Sequence, residues 1–204
     1  MTLVELFKAG GVQSDGIHNA KYDTDKGDAI FEKHHNYLPT YDKLFAPYQD
    51  QAINIFEVGY FLGGSARLWA DYFPKATIYS TDVQYYHPCE GNLNSMTPTN
   101  DRIKMEILDV MFMTPESFVG KEPTIAIDDG SHLLPEQLHF IKTVWPVLKP
   151  GGIMVVEDVQ FIDYHLKEYT ALGLPMEIID LRASHPEMRY DNVLLVFKKP
   201  NLNE

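Results

Sequence analysis

Ile53-Asn54-Ile55-Phe56-Glu57-Val58-Gly59, followed by Tyr60-Phe61-Leu62-Gly63-Gly64-Ser65, is the stretch of sequence that decides the fold. Its first part has the apolar and β-branched residues of a buried strand, and its second part is a glycine-rich turn that opens a helix ending near Pro74. Glycines in such a turn let the backbone approach a ligand closely at a helix N-terminus, where free N–H groups point outward. The order therefore predicts a strand, a ligand-binding loop and a helix.

A second strand is predicted directly downstream, over Thr77–Thr81, and it ends at Asp82. In α/β units, an acid about 20 residues beyond the glycines typically accepts hydrogen bonds from ribose hydroxyls. The same residues are also compatible with a plain tight turn and a solvated loop acid. The ordered series of strand, glycines, helix, strand and acid favours a nucleotide-type site.

Two short apolar runs, Thr124–Ile127 and Ile153–Val156, have the pattern of strands that are buried on both faces of a parallel sheet. Asp128-Asp129-Gly130-Ser131-His132 follows the first run and Glu157-Asp158 follows the second. Ligands collect beyond the carboxyl ends of strands in such sheets. Four carboxylates and one imidazole are therefore expected at the same edge of the sheet.

The remaining segments complete an alternation of strands and helices. Helices are predicted over residues 2–9 before Gly10-Gly11, around Tyr41–Phe45, from Thr114, from Pro135 and over roughly 161–172, and strands over Ile103–Leu108, Glu177–Leu181 and Asn192–Lys198. Val83 to Arg102 is expected to be a long loop with a short helix. The last two strands have a short connection that includes Pro186, so we expect them to be antiparallel.

These elements predict an α/β, Rossmann-like doubly wound, mostly parallel seven-stranded sheet with a C-terminal antiparallel hairpin. Residues 1–50 are expected to form a small helical lid over a core formed by residues 51–204, in one domain overall. A chain of 204 residues is long enough for one sizeable hydrophobic core.

Composition limits the possible partners and locations. The formal net charge of −12 argues against a surface that follows nucleic-acid phosphates. No apolar run is long enough to span a bilayer, and the N-terminus lacks the pattern of a secretory signal. Because the lone Cys89 cannot form an internal disulfide, we expect a cytoplasmic location.

The acidic strand ends suggest metal chemistry. Asp129, Glu157 and Asp158 offer hard oxygen ligands suited to Mg²⁺ or a similar cation, which could chelate two adjacent hydroxyls and lower the pKa of one. His132 could then act as the general base, since an imidazole titrates near neutral pH. Alternatively, Asp158 caps the next helix and His132 is a loop residue bonded to backbone.

A polar group ahead of the core offers candidates for substrate binding. Lys26, His35 and Tyr37 precede the predicted nucleotide-type domain and could close over its ligand. The alternative is a solvated turn followed by a helix that buries its apolar residues.

Several motifs together resemble the class I S-adenosylmethionine-dependent methyltransferases. They are Glu57-x-Gly59-x-x-x-Gly63-Gly64-Ser65, Asp82, Leu148-Lys149-Pro150-Gly151-Gly152 and the terminal hairpin. Within that superfamily, a second set resembles the metal-dependent sugar O-methyltransferases, which modify macrolide-attached deoxysugars and rhamnose-type residues and have cephalosporin-hydroxylase-like relatives. That set comprises Thr24-Asp25-Lys26-Gly27, His35-x-Tyr37, Asp128-Asp129-Gly130-Ser131-His132 and Glu157-Asp158.

The resemblance implies S-adenosylmethionine and Mg²⁺ as cofactors, and a sugar hydroxyl as the acceptor. The cofactor would be bound by Glu57, Gly59, Tyr60, Gly64, Ser65, Asp82, Asp109 and Asp128, with Gly59, Gly64 and Ser65 at its methionyl part, Asp82 at its ribose and Asp109 near its adenine. Asp129, Glu157 and Asp158 would hold the metal and His132 would be the base. A homo-oligomer is a further expectation, and such relatives often carry an additional N-terminal domain that helps to assemble one, which we do not expect in this sequence.

Three other functions remain open at this point. A catechol-type O-methyltransferase would use a similar metal site on a flat aromatic diol. A nicotinamide oxidoreductase is disfavoured because the first loop is Glu-x-Gly-x-x-x-Gly-Gly and not Gly-x-Gly-x-x-Gly. A non-catalytic cofactor-binding or scaffold protein would bind the cofactor without metal-linked turnover.

Overall fold

A seven-stranded sheet, with strand order β3-β2-β1-β4-β5-β7-β6, forms the centre of the protein. The structure, a computed structural model, describes residues 1–11, 19, 21–27, 35–84, 100–184 and 190–202. The strands are β1 (Asn54–Val58), β2 (Thr77–Asp82), β3 (Ile103–Ile107), β4 (Ile125–Asp128), β5 (Ile153–Val156), β6 (Met176–Asp180) and β7 (Val193–Lys198).

The pairing of the strands confirms the predicted topology. Strands β1 to β5 pair in parallel, and β7 pairs antiparallel with both β5 and β6. The order reverses at β1, which lies between β2 and β4. In doubly wound sheets a crevice forms at such a switch point, beyond the carboxyl ends of the strands.

Helices cover both faces of the sheet. They are α1 (Leu3–Ala9), α2 (Leu38–Phe45), α3 (Gly64–Tyr72), α4 (Leu134–Val147) and α5 (Ile162–Thr170). Successive residues of β1 point to opposite faces, so Ile55 packs with α1, α2 and α3 while Phe56 packs with α4 and α5. Two hydrophobic clusters therefore lie on either side of one sheet.

The N-terminal segment packs against the same core as the sheet. Thr2 and Glu5 form a capping box that fixes the start of α1. Leu3 and Phe7 from α1 and Tyr41 and Phe45 from α2 share a buried cluster with the strands. That this segment acts as a lid stays a prediction.

One local prediction differs from the structure, and two others lie largely outside the described residues. The segment from Thr114 forms only a 3₁₀ helix over Pro115–Phe118, although Thr114 caps it as the sequence predicts. The expected loop with a short helix between Val83 and Arg102, and the connection around Pro186, lie largely outside the described residues. Within the described part of the chain, no helix has the length and apolar character needed to cross a membrane.

Candidate active site

A cavity of about 380 Å³ opens beyond the carboxyl ends of β1, β2 and β4. Its wall contains residues from the glycine-rich loop, from the end of β2, from the acidic loop after β4 and from the N-terminal segment. These are Asp23, Thr24, Asp25, Val58, Gly59, Tyr60, Phe61, Gly64, Ser65, Asp82, Val83, Leu108, Val110, Asp129, Gly130, Ser131, His132 and Glu136. The two sequence motifs that suggest a cofactor site and a reaction centre therefore border one cavity.

At positions 59 and 64, backbone atoms from other parts of the chain lie so close that only glycine fits. Gly59 has φ +92°, and a Cβ there would lie 1.9 Å from the carbonyl oxygen of Asp129. A Cβ on Gly64 would lie 1.8 Å from the carbonyl oxygen of Tyr22. The first glycine thus lets the β1 loop approach the β4 loop, and the second lets the N-terminal segment cross the start of α3.

Asp82 fixes the glycine-rich loop from the end of β2. Its carboxylate accepts hydrogen bonds of 2.8 Å from the backbone N–H groups of Phe61 and Val83. Asp82 also lines the cavity, and its contact with ribose stays a prediction. Asp109 does not line it, because its side chain caps a short 3₁₀ helix by accepting from the N–H of Met111 at 2.8 Å.

Glu57 is fully buried beneath the glycine-rich loop and outside the cavity wall. Its carboxylate accepts hydrogen bonds from Ser65 Oγ at 2.8 Å and from Trp69 Nε1 at 3.1 Å. Burial raises the pKa of Glu57 to about 7. In the structure its direct contacts anchor α3 to β1, and the predicted contact of Glu57 with the cofactor stays a prediction.

The loop after β4 presents Asp129 and His132 to the cavity. His132 has φ +62°, and its Nδ1 lies 3.7 Å from Asp158 Oδ2 and has no hydrogen-bond partner among the described residues. Asp128 points inward instead, and burial raises its pKa to about 7. Its Oδ2 also has no hydrogen-bond partner among the residues described.

Asp158 is held by residues of the N-terminal segment. Tyr37 donates a hydrogen bond of 2.6 Å to its Oδ1, and His35 Nδ1 lies 3.1 Å from the same oxygen. The helix α5 starts after Phe161, whose N-cap position makes no side-chain hydrogen bond. The alternative interpretation of Asp158 as a helix cap is therefore wrong.

Glu157 has both carboxylate oxygens in hydrogen bonds. Tyr41 donates to Oε1 at 2.5 Å and Lys26 Nζ donates to Oε2 at 2.8 Å. Burial raises the pKa of Glu157 well above the ordinary range, because the charged form loses its hydration, while Lys26 opposes that rise. Glu157 would bind a metal through the lone pairs that these two hydrogen bonds leave free.

Lys26, His35 and Tyr37 are brought to the acidic cluster, and all three are almost completely buried. Their substrate-binding role stays a prediction, since their contacts in the structure are with carboxylates. Tyr41 is not among the predicted site residues, yet it donates a hydrogen bond to Glu157. The signal was available, because residues four apart on a helix share a face, and Tyr41 follows Tyr37 at that spacing.

Two overlapping groups have the spacing of metal ligands. Ligand atoms of Asp129, His132 and Asp158 lie within 4.8 Å of one another, and so do those of Glu57, Asp129 and Glu157. Carboxylate oxygens are the ligands that Mg²⁺ prefers, and the unpartnered Nδ1 of His132 leaves the first group incompletely satisfied. The residues present therefore fit a divalent cation.

No protein-family model matches the chain. Its sequence is similar to those of several proteins that are named as O-methyltransferases. It is 30% identical over 173 residues to mycinamicin VI 2″-O-methyltransferase of Micromonospora griseorubida, covering 77% of this chain and 42% of that protein. It is 29% identical over 133 residues to 8-demethyl-8-α-L-rhamnosyl tetracenomycin-C 2′-O-methyltransferase of Streptomyces olivaceus, covering 62% of this chain and 34% of that protein. The chain thus spans less than half the length of these relatives.

Solved structures share the fold. MycE methyltransferase from the mycinamycin biosynthetic pathway, in complex with Mg and SAH, matches 99% of this chain with 56% of its own length, a TM-score of 0.64 and 23% identity. An O-methyltransferase family protein from Burkholderia thailandensis matches 82% of this chain with 57% of its own length, a TM-score of 0.52 and 13% identity. Both share the Rossmann-like sheet described above.

Proposed function

We propose that this chain, which has the fold of class I S-adenosylmethionine-dependent methyltransferases and resembles sugar O-methyltransferases in sequence, transfers a methyl group from S-adenosylmethionine to a sugar hydroxyl. One observation carries the proposal. The glycine-rich loop and Asp82 border the same cavity as Asp129 and His132, so a cofactor and a reacting hydroxyl would meet there.

The cofactor would lie along the glycine-rich loop. Gly59, Gly64 and Ser65 line the cavity on the side proposed for the methionyl part, and Asp82 would accept hydrogen bonds from the ribose hydroxyls. Leu108 and Val110 line the cavity beside Asp109 and offer an apolar wall for an adenine ring. Asp109 lies between these two residues in sequence, so it would be near the adenine ring without lining the cavity itself.

Asp129 and Asp158 would hold the divalent cation next to His132. A bound Mg²⁺ would supply Lewis-acid chemistry that lowers the pKa of an acceptor hydroxyl. Tyr37 and His35 fix the orientation of the Asp158 carboxylate, which reduces the reorganisation needed when a cation binds.

The proposed reaction is a direct displacement. The acceptor oxygen forms a bond to the methyl carbon as the bond from that carbon to sulfur breaks, giving a methyl ether and S-adenosylhomocysteine. His132, on the cavity wall, takes the proton that leaves the hydroxyl. Correct alignment of the donor and acceptor groups can supply on the order of 7 to 11 kcal/mol of the barrier.

A sugar acceptor is supported by an exposed aromatic pair. Phe161 and Tyr190 are 52% and 54% exposed, and their rings stack at 5.4 Å. Phe161 follows Asp158 by three residues. An aromatic surface of this kind can pack against the apolar face of a deoxysugar, and the name of one matched relative includes a rhamnosyl group.

The remaining proposals concern the class of acceptor, the cellular location and the oligomeric state. The charge of −12 supports a small glycosylated acceptor over a nucleic acid, and the single cysteine supports a cytoplasmic location. A homo-oligomer is also proposed, on the resemblance alone.

The direct test is methyl transfer from radiolabelled S-adenosylmethionine to a panel of aryl rhamnosides and catechols, with Mg²⁺ or with EDTA. We expect Mg²⁺-dependent labelling of at least one rhamnoside and none of the catechols. Labelling of catechols alone would establish the rival acceptor class. Turnover that persists in EDTA would contradict the metal assignment.

A further inference from the structure

Gln137 is an almost completely buried polar residue of α4 that the proposed reaction does not use. Its Nε2 donates a hydrogen bond of 2.9 Å to the backbone carbonyl oxygen of Glu157, and its Oε1 accepts one of 2.6 Å from the hydroxyl of Tyr169 in α5. Because a carbonyl oxygen can only accept, the amide nitrogen must face Glu157, which leaves Oε1 to accept from Tyr169. Both ends of the Gln137 amide therefore have a fixed partner.

The carbonyl that Gln137 holds belongs to the peptide group between Glu157 and Asp158, two of the predicted metal ligands. Asp158 has φ +51°, a left-handed conformation that is uncommon outside glycine and persists only where the surrounding structure enforces it. Rotation of this peptide group would change φ of Asp158 directly. The bond from Gln137 therefore opposes relaxation of the strained residue.

The sheet holds the peptide groups on either side of this one. The N–H of Glu157 donates to the end of β4 at 2.9 Å, and the N–H of Val159 donates to the start of β7 at 3.1 Å. Tyr37 holds the side chain of Asp158 through Oδ1. The bond from Gln137 adds the peptide group that joins the two ligands, so backbone and side chain are both fixed at the end of β5.

We propose that Gln137 is a positioning residue for the metal site, and that Tyr169 orients the Gln137 amide for this role. This inference rests on the proposed metal-dependent function and deepens it, since neither residue lines the cavity or is among the site residues predicted from the sequence. Without the amide, a buried carbonyl loses its donor and the peptide group turns towards another partner. The carboxylates of Glu157 and Asp158 then lose their fixed direction.

The test compares the affinity for Mn²⁺ with the affinity for S-adenosylhomocysteine, both measured by calorimetry on the full chain. Gln137→Met keeps a side chain of similar length and removes both hydrogen bonds. It should weaken Mn²⁺ binding by about 10–100-fold, the loss that is typical when a group that orients a metal ligand is removed. The affinity for S-adenosylhomocysteine, measured without metal, should stay at the wild-type value because Gln137 lies outside the cavity wall.

Thr143→Val is the matched control on the same helix. Thr143 is also buried, and its Oγ1 lies 3.3 Å from His139 Nε2, so the substitution removes a buried polar contact of α4 that does not involve Glu157. This variant should bind Mn²⁺ as the wild type does. A loss of Mn²⁺ affinity equal to that of Gln137→Met would show a general effect of damage to α4 and overturn the inference.

Tyr169→Phe covers the case in which Gln137→Met does not fold. It keeps the aromatic ring and the bond from Gln137 to Glu157 but removes the hydroxyl that orients the amide, so it should weaken Mn²⁺ binding by less than Gln137→Met does. Its control is Tyr72→Phe, because Tyr72 is buried in α3 and donates to Asp42 at 3.2 Å. Equal Mn²⁺ affinity in these two tyrosine variants would overturn the role of Tyr169, and with it the inference if Gln137→Met is unfolded.

The outcomes separate the inference from the proposed function. Equal Mn²⁺ binding by the wild type and by folded Gln137→Met would make Gln137 purely structural and leave metal dependence intact. Parallel losses of affinity for Mn²⁺ and for S-adenosylhomocysteine in Gln137→Met would also overturn the inference, since a distorted fold affects both. Absence of Mn²⁺ binding by the wild type would overturn the inference together with the proposed metal dependence.

Discussion

Substitution Gly59→Ala tests the close approach on which the geometry of the site depends. A Cβ at this position would lie 1.9 Å from the Asp129 carbonyl oxygen and 2.7 Å from its carbonyl carbon, both of which are backbone atoms. Neither can rotate away, so the β1 loop and the β4 loop must separate. The change should therefore destabilise the fold and displace Asp129 from the cavity.

The expected magnitude has a steric part and a conformational part. An L-residue at positive φ costs about 1–2 kcal/mol, and overpacking costs about 1–3 kcal/mol, while the less flexible unfolded chain returns about 0.4–1 kcal/mol. The net loss in the free energy of unfolding is then about 3 kcal/mol. For a chain of this size each kcal/mol lowers the melting temperature by about 2–4 °C.

Gly120→Ala measures the conformational part of the loss in the free energy of unfolding without the steric part. Gly120 also has positive φ, at +77°, but a Cβ there has no atom within 4 Å. Thermal unfolding of both variants should show Gly59→Ala melting roughly 4–8 °C below Gly120→Ala. Calorimetry should show weakened S-adenosylhomocysteine binding only for Gly59→Ala. Equal melting temperatures and equal binding in the two variants would refute the reasoning.

Four further outcomes are expected. His132→Ala should slow methyl transfer by about 10²–10⁴-fold and leave S-adenosylhomocysteine affinity nearly unchanged, whereas equal loss of both would make His132 structural. Asp129→Asn should raise the Mg²⁺ concentration needed for turnover, measured by titrating Mg²⁺ at saturating cofactor, and an unchanged requirement would remove it from the metal site. Burial raises the pKa of Asp128 from 3.8 to about 7, so Asp128 ionises at lower pH in the unfolded chain than in the folded one. The free energy of unfolding should therefore fall as pH rises from about 4 to 7. Urea unfolding in EDTA should show a smaller fall for Asp128→Asn than for the wild type, and identical pH profiles for the two proteins would contradict this. Phe161→Ala should raise KM for the glycoside acceptor without changing cofactor affinity, while Tyr164→Ala, at a more exposed position of α5, should change neither, and a matching effect of both would argue against the aromatic pair.

The succession of strands along the chain and the acids at the ends of β2, β4 and β5 could be predicted from the sequence, because these features are local. The apolar runs ending at Asp128 and at Val156 have few alternatives to buried parallel strands. The glycine-rich stretch likewise predicts β1 and α3. The 3₁₀ helix at Pro115–Phe118 illustrates the limit, since a helix start signal does not determine how far the helix extends.

The hydrogen-bond and ion-pair partners within the acidic cluster could not be predicted, because they come from distant parts of the chain. Lys26 and Glu157 are 131 residues apart in sequence, and their pairing follows from the packing of the N-terminal segment. Glu57 is predicted from its motif to contact the cofactor, and the fold adds that its carboxylate accepts hydrogen bonds from Ser65 and Trp69. Charged residue types indicate where a site lies, and only their neighbours in space show which of them remain available to a ligand.

Calorimetric titration of the purified protein with S-adenosylhomocysteine, with NAD as the comparison, tests the central claim most directly because it requires no knowledge of the acceptor. The account predicts saturable binding of S-adenosylhomocysteine at one site per chain and no binding of NAD. Loss of that binding in Gly59→Ala would connect it to the cavity beside the glycine-rich loop. Binding of NAD alone, or of neither ligand in the presence of Mg²⁺, would contradict the account.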